Sequence, residues 1–507
     1  MNPLSRMLTL HPQDNVAVAL ADISAGETDN IAGVKALQAV KQGHKIAVKP
    51  IAAGQNVLRY GQTIGQATAD IAAGEHVHVQ NLGMGEHTSD YAHATEAKLL
   101  LALPDMRTFN GYHRADRSVG TRNYLGILTS VNCSGSVAKF IAEAAEKSGL
   151  LDDFPNIDGI VPITHGTGCG MSGENEGYDT LFRTLSGYAQ HPNFGGILLI
   201  GLGCEVMQVS ALVAGRPIRA DGALRYMTIQ QEGGTRMTIE KGLAELRSIA
   251  EIANTATRQP APVSELMVGM QCGGSDGYSG ITANPALGVA SDLVVRHGGT
   301  TILSETSEIY GAEHLLTRRA ATVEVGEKLI DRVRWWEDYT ARNKGKMDNN
   351  PSPGNKRGGL TTILEKSLGA VAKSGSAPLT AVYLFAEKID KKGFVFMDSP
   401  GFDPCSVTGQ IASGANLIVF TTGRGSVSGY TPTPCIKIAT NSEMYARMSD
   451  DMDINCGDIV SDGVSLEKKG SEIFEMFIRI ASGEQTKSED LGFGGVEFVP
   501  WQIGAVM

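Results

Sequence analysis

Apolar and polar positions follow three different regimes along this chain. Up to residue 83 the apolar runs are short, at 15–20 (NVAVAL), 44–51 and 75–79, and they are separated by turn signals such as SAGE, AAGQ and AAGE. Runs of that length between glycine-containing turns predict strands, so residues 1–83 are expected to form a small all-β module, with room for one short helix over 30–41. Residues 84–109 turn polar and small (HTSDYAHATEAK) and predict a linker, partly helical. Over 110–258, strand patterns at 124–131, 159–164, 196–201 and 225–230 alternate with helical spacing at 136–147 and 234–253. That alternation is the signature of a parallel sheet covered by helices. Residues 259–507 continue in the same mode, with strands at 266–270, 300–303, 381–385, 394–397 and 417–421 and a long charged helix at 322–343. The segment 349–360 (NNPSPGNKRGGL) holds two prolines and three glycines and is expected to be a rigid loop without regular structure. The expected fold is α/β: two units with largely parallel sheets behind a small N-terminal all-β domain.

The strand ends carry the candidate chemistry. In the middle unit the first three strands run into Cys133, Cys169 (within HGTGCG, 165–170) and Cys204. The loop after strand 266–270, QCGGSDGYSGITANP, brings Cys272, Ser275, Asp276 and Asn284 together among glycines. Open α/β sheets bind ligands at the carboxyl ends of their strands. Thiolates select zinc, iron or iron–sulfur clusters, although without CxxC spacing these ligands would have to converge from separate loops. The plainer role of a free cysteine is to fill apolar space. His76 and His78 share one face of a strand and can share a metal or a carboxylate. His44 opens another strand beside Lys45. Glu305 and Glu308 close the strand at 300–304, where carboxylates hold a hard cation, act as a base or start a helix. GSVSG at 425–429 matches the hydrolase GxSxG, but TPTP follows and forbids the helix a nucleophile elbow needs. No dinucleotide fingerprint or Walker motif appears.

Composition narrows the class. The chain has 507 residues, 61 of them glycine, and a formal net charge of −11. Its acidity argues against nucleic acid and requires any anionic substrate to be held by locally gathered cations. Seven cysteines without a secretory pattern argue against a disulfide framework. No run approaches the roughly 18 apolar residues of a membrane span, so the expectation is a cytoplasmic protein without membrane partners. A homo-oligomer is compatible with the sequence.

Taken together, GHK at 43–45, GEHVH at 74–78, SVGTRN at 118–123, HGTGCG at 165–170, IGLGCE at 200–205, CGGSD with SGITANP, NPSPGNK at 350–356, TTGRG at 421–425 and IKIATNSE at 436–443 resemble the altronate/galactarate dehydratase family. The resemblance runs over nearly the whole chain in one order. It implies an N-terminal SAF-type (β-clip) domain and removal of water across C2 and C3 of a sugar acid to give a 2-keto-3-deoxy acid. D-altronate is the leading substrate; galactarate and sulfolactate, the last through loss of sulfite, are alternatives. It also implies a requirement for ferrous iron or a similar divalent metal such as Mn²⁺, whereas the soft thiolates themselves suggest an iron–sulfur cluster. Arg122, Lys356 and Arg424 are the implied carboxylate holders, and His44, His165 and Lys356 the catalytic candidates. Ser275, Asn284 and Asn355 would bind the polyol. Cys133, Cys169 and Cys272, near His165, are the favoured metal ligands, with Asp276, Glu305 and His76 as the alternative set. An NAD-dependent sugar-acid oxidoreductase and a non-catalytic sugar-acid-binding protein are the rivals from other classes.

Overall fold

Short apolar runs between tight turns give the first unit its strands. The computed structural model describes residues 6–29, 33–85, 90–214 and 223–506. In it β1 (Met7–Leu8), β2 (Val16–Ala19), β3 (Lys45–Ala47) and β4 (His76–Val77) make one antiparallel sheet in that order. The hairpin of Asn56–Arg59 with Gln62–Ala67 and the pair Thr28–Asp29 with Val34–Lys35 complete an all-β unit. The helix expected over 30–41 is not formed in its described part, residues 30–32 lying outside the described residues. Val34, Ala36 and Val40 are buried at even spacing, a strand-like rather than helical period. Nor is the linker partly helical among the described residues of 84–109.

The middle unit follows the alternating pattern: β5 (Tyr124–Thr129), α1 (Gly135–Lys147), β6 (Gly159–Ile163), α2 (Glu176–Ala189), β7 (Phe194–Gly201), β8 (Leu224–Thr228) and α3 (Thr235–Ala253). The sheet is wholly parallel in the order β6-β5-β7-β8. β7 is buried at all eight positions, which is why it appears in the sequence as an unbroken apolar run. Thr108–His113 and Arg258–Pro262 pair antiparallel, so the chain crosses into and out of this unit side by side.

The last unit contains β9 (Met267–Cys272), α4 (Ala283–Arg296), β10 (Thr300–Leu303), α5 (Val323–Arg342), α6 (Pro353–Arg357), α7 (Ile363–Ala372), β11 (Leu379–Tyr383), β12 (Gly393–Met397), α8 (Asp403–Ala412), β13 (Leu417–Thr422), β14 (Cys435–Ala439) and β15 (Ile454–Asn455). Its seven strands are all parallel, in the order β11-β12-β10-β9-β13-β14-β15. The order turns outward in both directions from the β9/β13 pair, which makes that pair the switch point where such sheets open a crevice. Contrary to the expectation of a loop without regular structure, residues 349–360 contain a short helix. Pro353 stands in the first turn of α6, where its missing N–H costs nothing, and Ser352 and Asn355 form a capping box. One apolar core joins the β module to this unit, with Val57, Ile64 and Val77 in the same cluster as Val268, Leu287 and Phe396.

Candidate functional site

The loops that leave β9 and β14 are tied together by one carboxylate. Asp276 is buried and accepts from Thr440 Oγ1 at 3.0 Å, Ser279 Oγ at 3.1 Å, Asn441 Nδ2 at 3.1 Å and Tyr278 N–H at 3.1 Å. Burial pushes its pKa up, and the four donors oppose that. The result is a fixed platform beside the loop that leaves β13, where Arg424 N–H donates to Gly274 O at 2.8 Å.

The β module docks on this platform through a buried ionic triad. Glu365 of α7 accepts from Lys45 Nζ at 2.9 Å and from Arg59 Nη1, while Lys45 also donates to Gly359 O at 2.7 Å and Arg59 Nη2 to Gly277 O at 2.8 Å. The two cations hold the Glu365 carboxyl at about 2 against the opposing effect of burial. The approach is so close that a Cβ on Gly277 would lie 1.9 Å from Gly43 O. His44 follows Gly43 directly and is thereby set against the last unit.

Between the module and the platform lies a cleft of about 990 Å³. Three imidazoles stand on one wall. β3 and β4 pair with Lys45 opposite Val77, and one step further places His44 opposite His78. The ring centroids of His44, His76 and His78 are 4.9–5.5 Å apart, and one nitrogen from each lies within 4.8 Å of the others. The Arg357 carbonyl, 3.2 Å from His44 Nε2, can only accept, so that nitrogen carries the proton and Nδ1 faces His76 Nε2 at 3.0 Å. Among the described residues His78 Nδ1 is buried without a partner. Burial is the first cause that lowers all three pKa values, to about 4 for His76 and about 3 for His78. The rings are therefore neutral at physiological pH, the form that binds a metal. A backbone carbonyl holding the far nitrogen of one ring is the usual support of a metal-binding histidine. The donor set fits a divalent cation. Lys41, Lys356, Arg357, Arg424 and Arg447 line the rest of the cleft with Asp22, Asp276 and Glu443.

Of the residues singled out from sequence, His44, His76, Asp276, Lys356 and Arg424 thus come together, from positions nearly 400 residues apart. Others do not line this cleft. Arg122 is buried with its guanidinium forked onto Glu489 at 2.7 and 2.8 Å and its remaining donors on carbonyls of Thr121, Ile480 and Glu484. Asn284 bridges Thr421 Oγ1 and Gly369 O, and Asn355 caps α6 while donating to the Ser275 carbonyl. Ser275 is buried behind the loop. His165 is buried in the middle unit, its Nε2–H donating to Thr129 O at 3.0 Å and its Nδ1 accepting from Thr167 N–H at 3.3 Å. Both nitrogens serve the backbone. Cys133 and Cys169 are exposed and Cys272 is buried, and the three do not gather as ligands of one ion. His78 and Arg447 complete the cleft. The shared strand face of His76 and His78 pointed to the first; no motif marked the second.

Cys272 belongs to another buried group. Lys373 Nζ donates to its sulfur at 2.9 Å, and the thiol, Glu305 and Glu308 offer ligand atoms within 4.8 Å of one another. Lys366 pairs with Glu308 at 2.6 Å, and Lys373 lies 3.7 Å from Glu305. Burial first, then the neighbouring Glu308, raises the Glu305 pKa well above the ordinary value, and the same two causes push Asp403 up to about 7. Two lysines within a cluster of carboxylates make this a neutralised internal network, and no part of it lines the cleft.

Comparison with known proteins covers the chain end to end. Residues 5–85 match the altronate/galactarate dehydratase SAF domain, residues 111–254 the second domain of D-galactarate dehydratase/altronate hydrolase, and residues 263–506 the C-terminal domain of D-galactarate/altronate dehydratase. An altronate dehydratase of Bacillus subtilis (strain 168) is 35% identical over 97% of this chain and 98% of its own length. A galactarate dehydratase (L-threo-forming) of Escherichia coli (strain K12) is 38% identical over 96% of this chain and 95% of its own. The beta subunit of a (2R)-sulfolactate sulfo-lyase of Chromohalobacter salexigens is 33% identical over 76% of this chain and 95% of its own. Among the described residues no helix is long and apolar enough to cross a membrane.

Proposed function

This chain belongs to the altronate/galactarate dehydratase family and is a hydro-lyase; from that premise we propose that it converts D-altronate to a 2-keto-3-deoxy acid in the cleft between the β module and the last unit. The observation that carries the reading is the meeting of three neutral imidazoles with three arginines and two lysines in one crevice.

His44, His76 and His78 would hold ferrous iron, or manganese in its place. Bound there, the ion would supply a Lewis acid for substrate oxygens beside the α-carbon. The chain's own groups account for the remaining steps. Arg424 and Arg357 grip the carboxylate, for which the guanidinium fork is suited. That grip stabilises the negative charge that grows on the carboxylate as the C2 proton departs. Lys356, acting as the neutral amine, takes this proton and delivers it to the 3-hydroxyl, which leaves as water. The enol left behind takes a proton at C3 and becomes the 2-keto-3-deoxy acid.

Galactarate is the second reading, favoured by the three guanidinium groups of Arg357, Arg424 and Arg447 in the cleft lining, more than one carboxylate needs. An anaerobic assay with Fe²⁺ and D-altronate, galactarate or sulfolactate in turn, scored for 2-keto product or released sulfite, tests the proposal. Keto-acid formation from D-altronate, lost in Lys356→Ala, is the expected result. Absence of product from every acid, or reduction of added NAD, would overturn it.

A further inference from the structure

We propose that Cys133, Cys169 and Cys204 are the ligands of an iron–sulfur cluster on the middle unit, at a site separate from the histidine cleft. The sheet order β6-β5-β7-β8 reverses between β5 and β7, and the loops leaving these strands lie where an open parallel sheet binds its ligand. The loops that leave three neighbouring strands, β6, β5 and β7, carry one cysteine each. Thr129 of β5 and Ile200 of β7 are register partners, and Cys133 and Cys204 each follow by four residues, so they leave the sheet at one level. Leu128 pairs with Ile163 of β6, which puts Cys169 one residue further along its own loop.

The loops are fastened to one another beneath the thiols. Asn132 N–H donates to Thr167 O at 3.0 Å, and Met207 N–H donates to Gly168 O at 3.0 Å. Glu205, buried, accepts from Ser130 Oγ at 2.7 Å and Gly203 N–H at 2.6 Å, joining the β5 and β7 ends. A Cβ on Gly168, whose φ is +101°, would lie 2.2 Å from Ser130 O, so glycine alone lets the Cys169 loop lie against the end of β5. On this fixed base all three thiols are exposed, whereas Cys272, Cys405, Cys435 and Cys456 are buried. Three exposed cysteines are poor space-fillers, and their common position calls for another explanation.

Spacing decides the class of ligand. Sulfurs on one tetrahedral ion stand about 4 Å apart, given bonds of about 2.3 Å. These three do not gather that closely. They come from adjacent strands, which run about 4.8 Å apart, and a cluster of several irons spans that wider base. Three thiolates are one fewer than a cubane cluster takes in its fully cysteine-ligated form, so one iron would be left open to an outside ligand.

The test is anaerobic reconstitution of the full-length protein with ferrous iron and sulfide. Expected are a broad sulfur-to-iron visible band and equal amounts of bound iron and acid-labile sulfide. Each of Cys133→Ser, Cys169→Ser and Cys204→Ser should lose the band while keeping the circular dichroism of the parent, and Cys405→Ser should retain it. No band in the parent, a band that survives all three substitutions, or uptake of iron without sulfide would overturn the assignment. Because the readout is spectroscopic, failure here leaves the altronate assay unaffected, and the reverse also holds.

Discussion

A histidine can be buried for the sake of the backbone as easily as for catalysis, and His165 shows how to tell. Its ring donates to one carbonyl and accepts from one amide, and burial lowers its pKa to about 4. Unfolded, the same ring titrates near 6.5, so the unfolded chain binds the proton first. Stability supplied by the neutral ring is complete above about pH 6.5 and is lost as pH falls toward 4, by roughly 3 kcal/mol at most. Urea unfolding over that range should show the slope, and His165→Gln should flatten it without changing kcat. His78 is the opposite case, with a buried nitrogen that lacks a partner among the described residues. His78→Ala should weaken Fe²⁺ binding by at least the roughly 100-fold that even an outer-shell change can cost, read as retained iron after dialysis. Sequence alone found His44, Arg424 and Asp276 because each stands in a glycine-containing turn next to a strand, and Lys356 because it lies in the proline- and glycine-rich segment 349–360. It could not separate them from Arg122 or Asn355, whose partners, Glu489 and the Ser275 carbonyl, lie far off in the chain.

Helix α7 was invisible to the same reading for a different reason. Residues Ile363–Val371 are all buried, so no polar face gives the segment a helical period. Its charges are used inside the protein: Glu365 faces the β module and Lys366 the Glu308 carboxylate. β14 was missed similarly, since Lys437 interrupts an apolar run and is buried with its Nζ on the Ser428 carbonyl. Strands with uninterrupted apolar runs, such as β7 and β9, were legible almost to the residue. For α7 the consequence is measurable. Glu365→Gln would leave Lys45 and Arg59 buried with reduced compensation, a change that costs about 3–5 kcal/mol in comparable buried pairs. The Glu365 carboxyl titrates at about 2 in the folded protein against an ordinary 4.5. Its stabilisation is therefore present above about pH 4.5 and is lost as pH falls toward 2. The variant should unfold at lower denaturant and lack that acid-side slope.

At the scale of the whole molecule, function depends on two units meeting with little clearance. The imidazoles belong to the β module, whereas Lys356, Arg357 and Arg424 belong to the last unit, and neither set makes a site alone. Backbone-to-backbone contact fixes their separation, since Gly43 O fills the space where a Gly277 side chain would be. Gly277→Ala therefore tests the arrangement without removing any polar group. The added methyl must push the β module outward, taking His44 away from the Arg357 carbonyl while the seven-stranded sheet keeps its core. Turnover should fall steeply and the 84–109 segment should become more sensitive to protease, whereas Gly495→Ala, with open space around it, should change neither. If Gly277→Ala turns over and resists protease like the parent, the docked cleft is not the working one, and the imidazoles and cations would have to act apart.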